Sequence, residues 1–312
     1  MRSLPRLLFT MPQPCCKCKK TIKPPLDIGS IAGERRIKWN MHTSETIMRR
    51  ALSALLLCLL LPHGPASAEE PDRSPVRICD DGDEWPPYTY YRRTNGEPTA
   101  EITGFSVEVI GAILGKHGIP FTIALPPWKR CLASIEAGEN YVMALSASKN
   151  PDRERRFLFS MPYYQTHYYV FYAKDRFPQG LKLGSQADLN RYRLGGIKGY
   201  AYSNLGTVDK DRMVRAASYP ELVKMMKAGR LDVFAEDYEV MAGLASIGTL
   251  DIIGDPSIGR APLPGANANP FHMIFSRKNP RGEALRQLID SELEAMRRSG
   301  QLAKLLAKYV KR

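Results

Sequence analysis

The side chains with the clearest chemical purpose form two groups of opposite charge. Ser146 and Ser148 stand two residues apart after a predicted strand, so they can face the same way, and Arg153 follows five residues later. A guanidinium can donate two hydrogen bonds to one carboxylate, and neighbouring hydroxyls can complete the cradle. Asp237 follows another predicted strand, where its carboxylate can hold an ammonium group. Together these residues predict a site for a small zwitterion such as an amino acid.

Three aromatic residues, Trp85, Tyr88 and Trp128, follow the first two predicted strands and offer flat apolar surfaces for the flanks of a ligand. Each candidate also has an ordinary structural explanation. The rings can belong to the core, Arg153 lies in a charged run, and Asp237 can cap the helix that follows it. These patterns alone leave both explanations open.

The elements that must position these residues follow an alternating pattern of strands and helices, first over residues 76–145 and again from residue 193. This pattern predicts an α/β fold of two lobes, each with a mostly parallel sheet, joined by two crossover strands. We expect residues 69–167 and 269–312 in lobe 1 and residues 168–268 in lobe 2. The proline-rich stretch 255–270 predicts a linker. Ligands of open α/β sheets bind at the carboxyl ends of strands, so a cleft between the lobes is the expected site.

Residues 48–68 have the pattern of a secretory signal peptide. Two arginines precede an apolar run, and the small triplet Ala66-Ser67-Ala68 ends it, so Glu69 is the expected first residue of the mature chain. Residues 1–47 precede this pattern, and we interpret them as an upstream extension that the mature protein lacks. The sequence therefore predicts secretion to the periplasm.

The strong positive charge of the chain is unevenly distributed. The 312 residues carry 45 Lys and Arg against 32 Asp and Glu, a formal charge of +13. Residues 1–68 hold 11 of the basic and 3 of the acidic residues, so the expected mature chain has a charge of +5. Such a mild excess, without basic runs interleaved with aromatics, does not favour a nucleic-acid partner.

Two of the cysteines, Cys79 and Cys131, belong to the expected mature chain. An oxidising compartment favours a disulfide bond between them, whereas two buried free thiols are the alternative.

The order of the motifs resembles the periplasmic solute-binding proteins of ABC importers, the bacterial extracellular family 3 that takes up polar amino acids. The motifs that carry this resemblance are Trp85-Pro86-Pro87-Tyr88, Gly104-Phe105-Ser106-Val107-Glu108, Glu136-Ala137-Gly138, Ser146-Ala147-Ser148, Pro151-Asp152-Arg153, Phe159-Ser160-Met161-Pro162-Tyr163-Tyr164, Leu194-Gly195-Gly196-Ile197-Lys198-Gly199 and Gly229-Arg230-Leu231-Asp232. They extend across nearly the whole expected mature chain.

The resemblance implies a role for each candidate. Trp85 and Trp128 would flank the ligand side chain, and Arg153 would bind its α-carboxylate. Asp237 would bind the ammonium group, and the two serines fall on positions that contact either end of the ligand. It also implies a hinged two-lobe fold and an ABC permease in the inner membrane as partner. We expect a monomer with no cofactor and no metal ion.

One departure from the family pattern follows Gly199. The family usually has small hydroxyl residues there, whereas this chain has Tyr200-Ala201-Tyr202. A hydroxyl from lobe 2 can still come from Tyr202 or Ser203, but we expect a smaller or differently shaped pocket.

Other functions fit the same scaffold. The fold also hosts a cyclohexadienyl dehydratase-like lyase, which needs a general acid near the cleft, and Glu84, Glu236 and His167 are candidates. A ligand-sensing module is a third possibility. The acidic run that holds Asp80 and Asp81 has two explanations: it can attract a cationic ligand, or it can be a solvated loop.

Overall fold

The computed structural model describes residues 74–310, which lie within one compact unit. The predicted signal peptide at residues 48–68 and the extension at residues 1–47 lie outside the described residues. No helix within residues 74–310 is both long and apolar enough to cross a membrane.

Strands and helices alternate through most of the described chain, as the sequence predicts. The strands are β1 (Val76–Cys79), β2 (Tyr90–Thr94), β3 (Glu97–Thr103), β4 (Phe121–Ala124), β5 (Met143–Ser148), β6 (Phe157–Phe159), β7 (Tyr164–Thr166), β8 (Tyr168–Ala173), β9 (Leu194–Ile197), β10 (Val214–Ala216), β11 (Val233–Asp237), β12 (Ile258–Pro262) and β13 (Asn269–Ser276). The α-helices are α1 (Phe105–Lys116), α2 (Trp128–Ala137), α3 (Pro151–Arg156), α4 (Tyr219–Lys227), α5 (Tyr238–Ser246), α6 (Gly282–Arg298) and α7 (Gln301–Tyr309).

The first sheet combines strands from the two ends of the described chain. Its strand order is β4-β1-β5-β13-β6, and β7 also pairs with β13. Strand β1 is parallel to β4 and β5, whereas β13 is antiparallel to β5, β6 and β7. We call this sheet and its helices the first lobe.

The second sheet is built from one continuous stretch of chain. Its strand order is β10-β9-β11-β8-β12, with β9 parallel to β10 and β11 and with β8 antiparallel to β11 and β12. We call this sheet and its helices the second lobe. Each sheet thus has a parallel part extended by antiparallel strands, and the predicted two-lobe α/β architecture is confirmed.

The chain crosses between the two sheets twice. It passes from β7 to β8 through His167, and it returns through residues 263–268. Thr166, at the end of β7, pairs in register with Asn269, at the start of β13. The two crossing segments therefore lie side by side, which is the geometry of a hinge.

Helix α1 shows how tightly the loop after β1 is packed. Its apolar residues recur every three or four positions, so they lie on one buried face. The helix begins after Gly104, whose φ is 126°, and a Cβ at this position would stand 2.3 Å from the carbonyl oxygen of Tyr88. Glycine therefore lets the start of α1 pack directly against the backbone of that loop.

The linker prediction for residues 255–270 is wrong in its first half. Ile258–Pro262 forms β12, which pairs with β8 at the edge of the second sheet. A proline is compatible with this strand because an edge strand does not need every backbone N–H for pairing. Pro262 thus belongs to an edge strand and does not indicate a linker.

The predicted disulfide bond is present. Cys79, the last residue of β1, is bonded to Cys131 in α2, with a Cα–Cα distance of 5.8 Å. Both side chains are fully buried. The bond closes a loop with a sequence separation of 52 residues, and the chain-entropy model assigns such a loop about 4 kcal/mol of stabilisation.

We expect replacement of both cysteines by serine to lower the free energy of unfolding by about 4 kcal/mol, because the unfolded chain loses its cross-link. Urea denaturation of the chain from Glu69 onward measures the difference. The wild type with reduced thiols serves as a control and should approach the stability of the double variant. Equal stability of the oxidised and reduced wild type would contradict the prediction.

Candidate functional site

A cleft with an empty volume of about 400 Å³ is lined by residues from both lobes. The carboxyl ends of β5 and β11 and the segments that follow β1, β5 and β9 contribute most of its wall, because parallel strands bring their carboxyl ends to one edge of a sheet. The lining residues are Asp80, Asp81, Trp85, Trp128, Ser146, Ser148, Arg153, Tyr168, Tyr200, Ala201, Tyr202, Asp237, Asn269 and Phe271. Of the eight predicted ligand-binding residues, seven are in this set and Tyr88 is not.

Arg153 is held in place by the short helix α3 and by the strand before it. Asn150 caps the helix and accepts a hydrogen bond from the Arg153 backbone N–H at 2.7 Å. The Arg153 guanidinium donates through Nη1 to the carbonyl oxygen and hydroxyl of Ser148, at 2.9 Å and 3.1 Å, and lies 5.6 Å from the centre of the Trp128 ring. Burial lowers the pKa of Arg153 to about 10, so the group is still a cation at neutral pH.

Asp237 is the last residue of β11 and contacts both crossing segments. Its Oδ1 atom accepts hydrogen bonds from the Thr166 hydroxyl and from the Asn269 side-chain amide, the second at 3.3 Å. Although Asp237 stands at the N-cap position of α5, its side chain makes no capping hydrogen bond. Burial raises the pKa of Asp237 to about 6. At neutral pH the cleft therefore contains a desolvated carboxylate that a cation would stabilise.

The two serines belong to β5 and line the cleft together. The Ser146 hydroxyl donates to Oδ2 of Asp80 at 2.9 Å, whereas the Ser148 hydroxyl accepts from Arg153. The two tryptophans present only a small part of their surface, since Trp85 is 5% exposed and Trp128 is 6% exposed. These rings are therefore largely buried and also line the cleft, and their contact with a ligand stays a prediction.

Tyr202 contributes its ring to the cleft, but its hydroxyl is used inside the second lobe. The hydroxyl donates to Oε1 of Glu236 and accepts from the backbone N–H of Ile197 at 2.6 Å. Burial raises the pKa of both Tyr202 and Glu236. The Tyr202 hydroxyl thus already donates its proton to Glu236 inside the second lobe. Donation from this hydroxyl to a ligand would require that bond to break.

Tyr88 lies behind the cleft in the core of the first lobe. It is fully buried and stacks on Tyr164, with ring centroids 3.9 Å apart. The expectation that Tyr88 lines the ligand cleft is therefore corrected. The residue follows two prolines in a tight loop, and the loop turns this ring inward while Trp85 keeps an edge at the cleft.

Two acidic residues, Asp80 and Asp81, line the cleft although their run was also explained as a solvated loop. Asp80 is fully buried and Asp81 is 6% exposed, so that explanation is wrong for both. Burial raises the pKa of Asp80 to about 6 and that of Asp81 to about 7. The sequence does hold a sign of this placement, because both residues directly follow β1 just as Asp237 ends β11.

Other lining residues lie where the chain changes lobes. Tyr168 begins β8, Asn269 begins β13, and Phe271 is in β13. The sequence does not single out these side chains, because only the tertiary fold brings the starts of β8 and β13 to the cleft.

None of the three residues considered as a general acid is among the residues that line the cleft of the described chain. Glu84 forms an ion pair with Arg93 at 2.6 Å. The side chain of His167 is 56% exposed and pairs with Glu239 at 2.6 Å. Glu236 is buried within the second lobe.

We expect the free energy of unfolding of the ligand-free chain to fall as the pH rises from about 4 to 7. The pKa of Asp81 is raised from 3.8 to about 7 by burial, so the folded chain holds a proton in this window that the unfolded chain has lost. Asp81→Asn should reduce this slope, of which Asp80 and Asp237 keep a part because burial raises their pKa values to about 6. The substitution should raise the stability at pH 8 by a few kcal/mol, since one pKa unit corresponds to about 1.4 kcal/mol. Urea denaturation across the pH range measures the slope.

The matched control for this prediction is Asp211→Asn, which changes an exposed aspartate. This variant should retain the slope of the wild type. An unchanged slope in Asp81→Asn would contradict the assignment to Asp81.

Comparisons with known proteins identify the family of the chain and relatives of similar fold. The family model for bacterial extracellular solute-binding proteins, family 3, matches residues 76–312. A probable histidine-binding protein of Neisseria gonorrhoeae is 23% identical over 215 residues, which cover 67% of this chain and 75% of that protein. The solved substrate-binding protein of an amino acid ABC transporter aligns with a TM-score of 0.59 and 18% identity, covering 77% of this chain and 100% of that one.

An ancestral amino acid-binding protein, described as a precursor of cyclohexadienyl dehydratase, aligns with a TM-score of 0.58 and 18% identity over 77% of this chain and 96% of that one. At these identities the solved structures show the shared fold. The family model covers well over half of the chain. The chain therefore belongs to the bacterial extracellular solute-binding proteins, family 3.

Proposed function

We propose that this protein captures an amino acid or a similar small zwitterion in the cleft between its lobes. The observation that carries the proposal is the position of two opposite buried charges on one cleft. Arg153 belongs to the first lobe and Asp237 to the second, and both line the cleft. A molecule with a carboxylate at one end and an ammonium group nearby can neutralise both.

The remaining wall fits such a ligand. The α-carboxylate would accept hydrogen bonds from Arg153, with Ser148 completing the cradle. The ammonium group would donate to Asp237. The ligand side chain would contact the exposed edges of Trp85 and Trp128, which offer apolar surface with defined orientation.

The hinge supports capture by closure of the two lobes. Asp237 is in the second lobe but accepts hydrogen bonds from Thr166 and Asn269, which lie where the two crossing segments meet the first sheet. A ligand that contacts Arg153 and Asp237 at once stabilises the closed form more than the open form. Such a difference in contacts shifts the population toward closure.

The wider role proposed here is delivery of the ligand to an ABC permease of the inner membrane by a receptor in the periplasm. Family membership supports this role, and so does the predicted signal peptide at residues 48–68. The disulfide bond is also consistent with an oxidising compartment. We favour binding without chemical conversion, because Glu84, Glu236 and His167 are not among the described residues that line the cleft.

We expect Arg153→Ala to weaken amino acid binding by at least about thirtyfold, because removal of one partner from a buried charge pair typically costs about 2–5 kcal/mol. Isothermal titration calorimetry with a panel of amino acids measures the affinity. The matched control is Arg155→Ala, two residues away, whose side chain is 71% exposed and pairs with Asp152.

The control variant should bind like the wild type, and the ligand recovered from the wild-type complex should be chemically unchanged by mass spectrometry. Full affinity in Arg153→Ala would contradict the carboxylate-binding role. Conversion of prephenate or arogenate by the wild type would favour the lyase instead.

We expect Asp237→Asn to weaken binding of an amino acid by about tenfold or more while its deaminated analogue loses much less. The substitution keeps the size of the side chain and removes the negative charge that faces the ammonium group. Calorimetry with the amino acid and with the corresponding carboxylic acid lacking the amino group separates the two effects. An equal loss for both ligands would show that Asp237 acts on the fold and not on the ammonium group.

A further inference from the structure

Tyr200 is a lining residue of the cleft that connects the two lobes. Tyr200 follows β9 in the second lobe, and its hydroxyl donates to Oδ2 of Asp81 in the first lobe at 2.6 Å. Its ring contacts Trp85 edge to face, with centroids 5.6 Å apart. This single side chain therefore spans the space between the two lobes.

A second cavity adjoins the cleft at this point. It is open to solvent, and its lining includes charged residues of both lobes, among them Asp83, Lys129 and Lys198. The two cavities share Asp81, Trp128 and Tyr200 as lining residues. The Tyr200–Asp81 pair therefore lies on the boundary between an inner and an outer compartment.

Both ends of this boundary are held in place. The Asp81 carboxylate accepts the backbone N–H of Asp83 at its other oxygen, Oδ1, at 3.0 Å. On the opposite side, Tyr200 follows Gly199, which has a φ of +90° and whose added Cβ would stand 3.0 Å from Cγ of Lys129. The carboxylate and the phenol are thus aligned by their own backbones.

We propose that Tyr200 and Asp81 form a partition that limits the length of the ligand side chain. This inference rests on the proposed function, because it concerns the same cleft. A compact zwitterion bound between Arg153 and Asp237 would not need to reach past the pair. A long side chain has to break the Tyr200–Asp81 hydrogen bond and displace the ring from Trp85 before it can reach the outer compartment.

Removal of the Tyr200–Asp81 partition should change which amino acids the cleft binds. A serine at position 200 would join the two compartments and would free the Asp81 carboxylate to meet a cation. Long cationic side chains, such as those of lysine and arginine, should gain most from this change. Phenylalanine at position 200 keeps the ring between the compartments and is the matched control.

The experiment is calorimetric titration of the wild type, Tyr200→Ser and Tyr200→Phe with glycine, alanine, serine, 2,3-diaminopropionate, ornithine, lysine and arginine. We expect the wild type to bind its best compact ligand at least about tenfold more tightly than lysine or arginine, a difference of about 1.4 kcal/mol. Tyr200→Ser should reduce this ratio about tenfold or more. Tyr200→Phe keeps the ring but lacks the hydrogen bond to Asp81, so it should reduce the ratio less than Tyr200→Ser does.

The outcomes separate this inference from the proposed function. Equal wild-type affinity for compact and long ligands, or an unchanged ratio in Tyr200→Ser, would overturn the partition alone. No binding of any amino acid by the wild type would overturn the proposed function and the partition together. The wild-type profile tests the partition even if Tyr200→Ser does not fold.

A further variant tests the part played by the carboxylate. Adding Asp81→Asn to Tyr200→Ser should remove most of the affinity gained for lysine and arginine. Retention of that gain in the double variant would show that Asp81 does not meet the cation, and would overturn this part of the inference.

Discussion

The structure depends on two buried charges that have no ion-pair partner among residues 74–310. Arg153 and Asp237 are 5% and 2% exposed, and their hydrogen bonds go to neutral groups. A buried charge without a counterion is costly, and the chain keeps the cost low by tying each group to backbone and side-chain dipoles. The cleft is thus polarised before any ligand enters. An electrically neutral molecule with separated charges is the guest that relieves both groups at once.

The cleft lining contains more acidic than basic side chains. Asp80 and Asp81 join Asp237 in the cleft lining, against Arg153 alone. Burial compensates for part of the excess, since it holds the pKa values of the three carboxyls near 6 or 7. Hydrogen bonds from Ser146 and Tyr200 oppose that rise. The charge of the cleft is therefore adjustable within the ordinary pH range.

Much of this architecture could be predicted from the sequence because local patterns determine it. The helix at 105–116 and the crossing at residue 168 follow from apolar spacing and from a β-rich run. The incorrect predictions concern residues whose local sequence pattern fits both a core position and a cleft position. Tyr88 and Trp85 lie in one loop, yet only tertiary packing decides which ring turns inward. The position of Asp81 directly after β1 indicates the cleft edge of the sheet, but its burial depends on Tyr200, which is 119 positions away in the sequence.

The Cys79–Cys131 bond has a consequence for the order of events during capture. Cys79 immediately precedes Asp80, and Cys131 lies about one helical turn after Trp128. The covalent link therefore fastens the acidic loop and the tryptophan to a single rigid body. This part of the cleft wall therefore keeps its geometry when the lobes separate. A ligand can contact these residues of the first lobe before the second lobe closes over it.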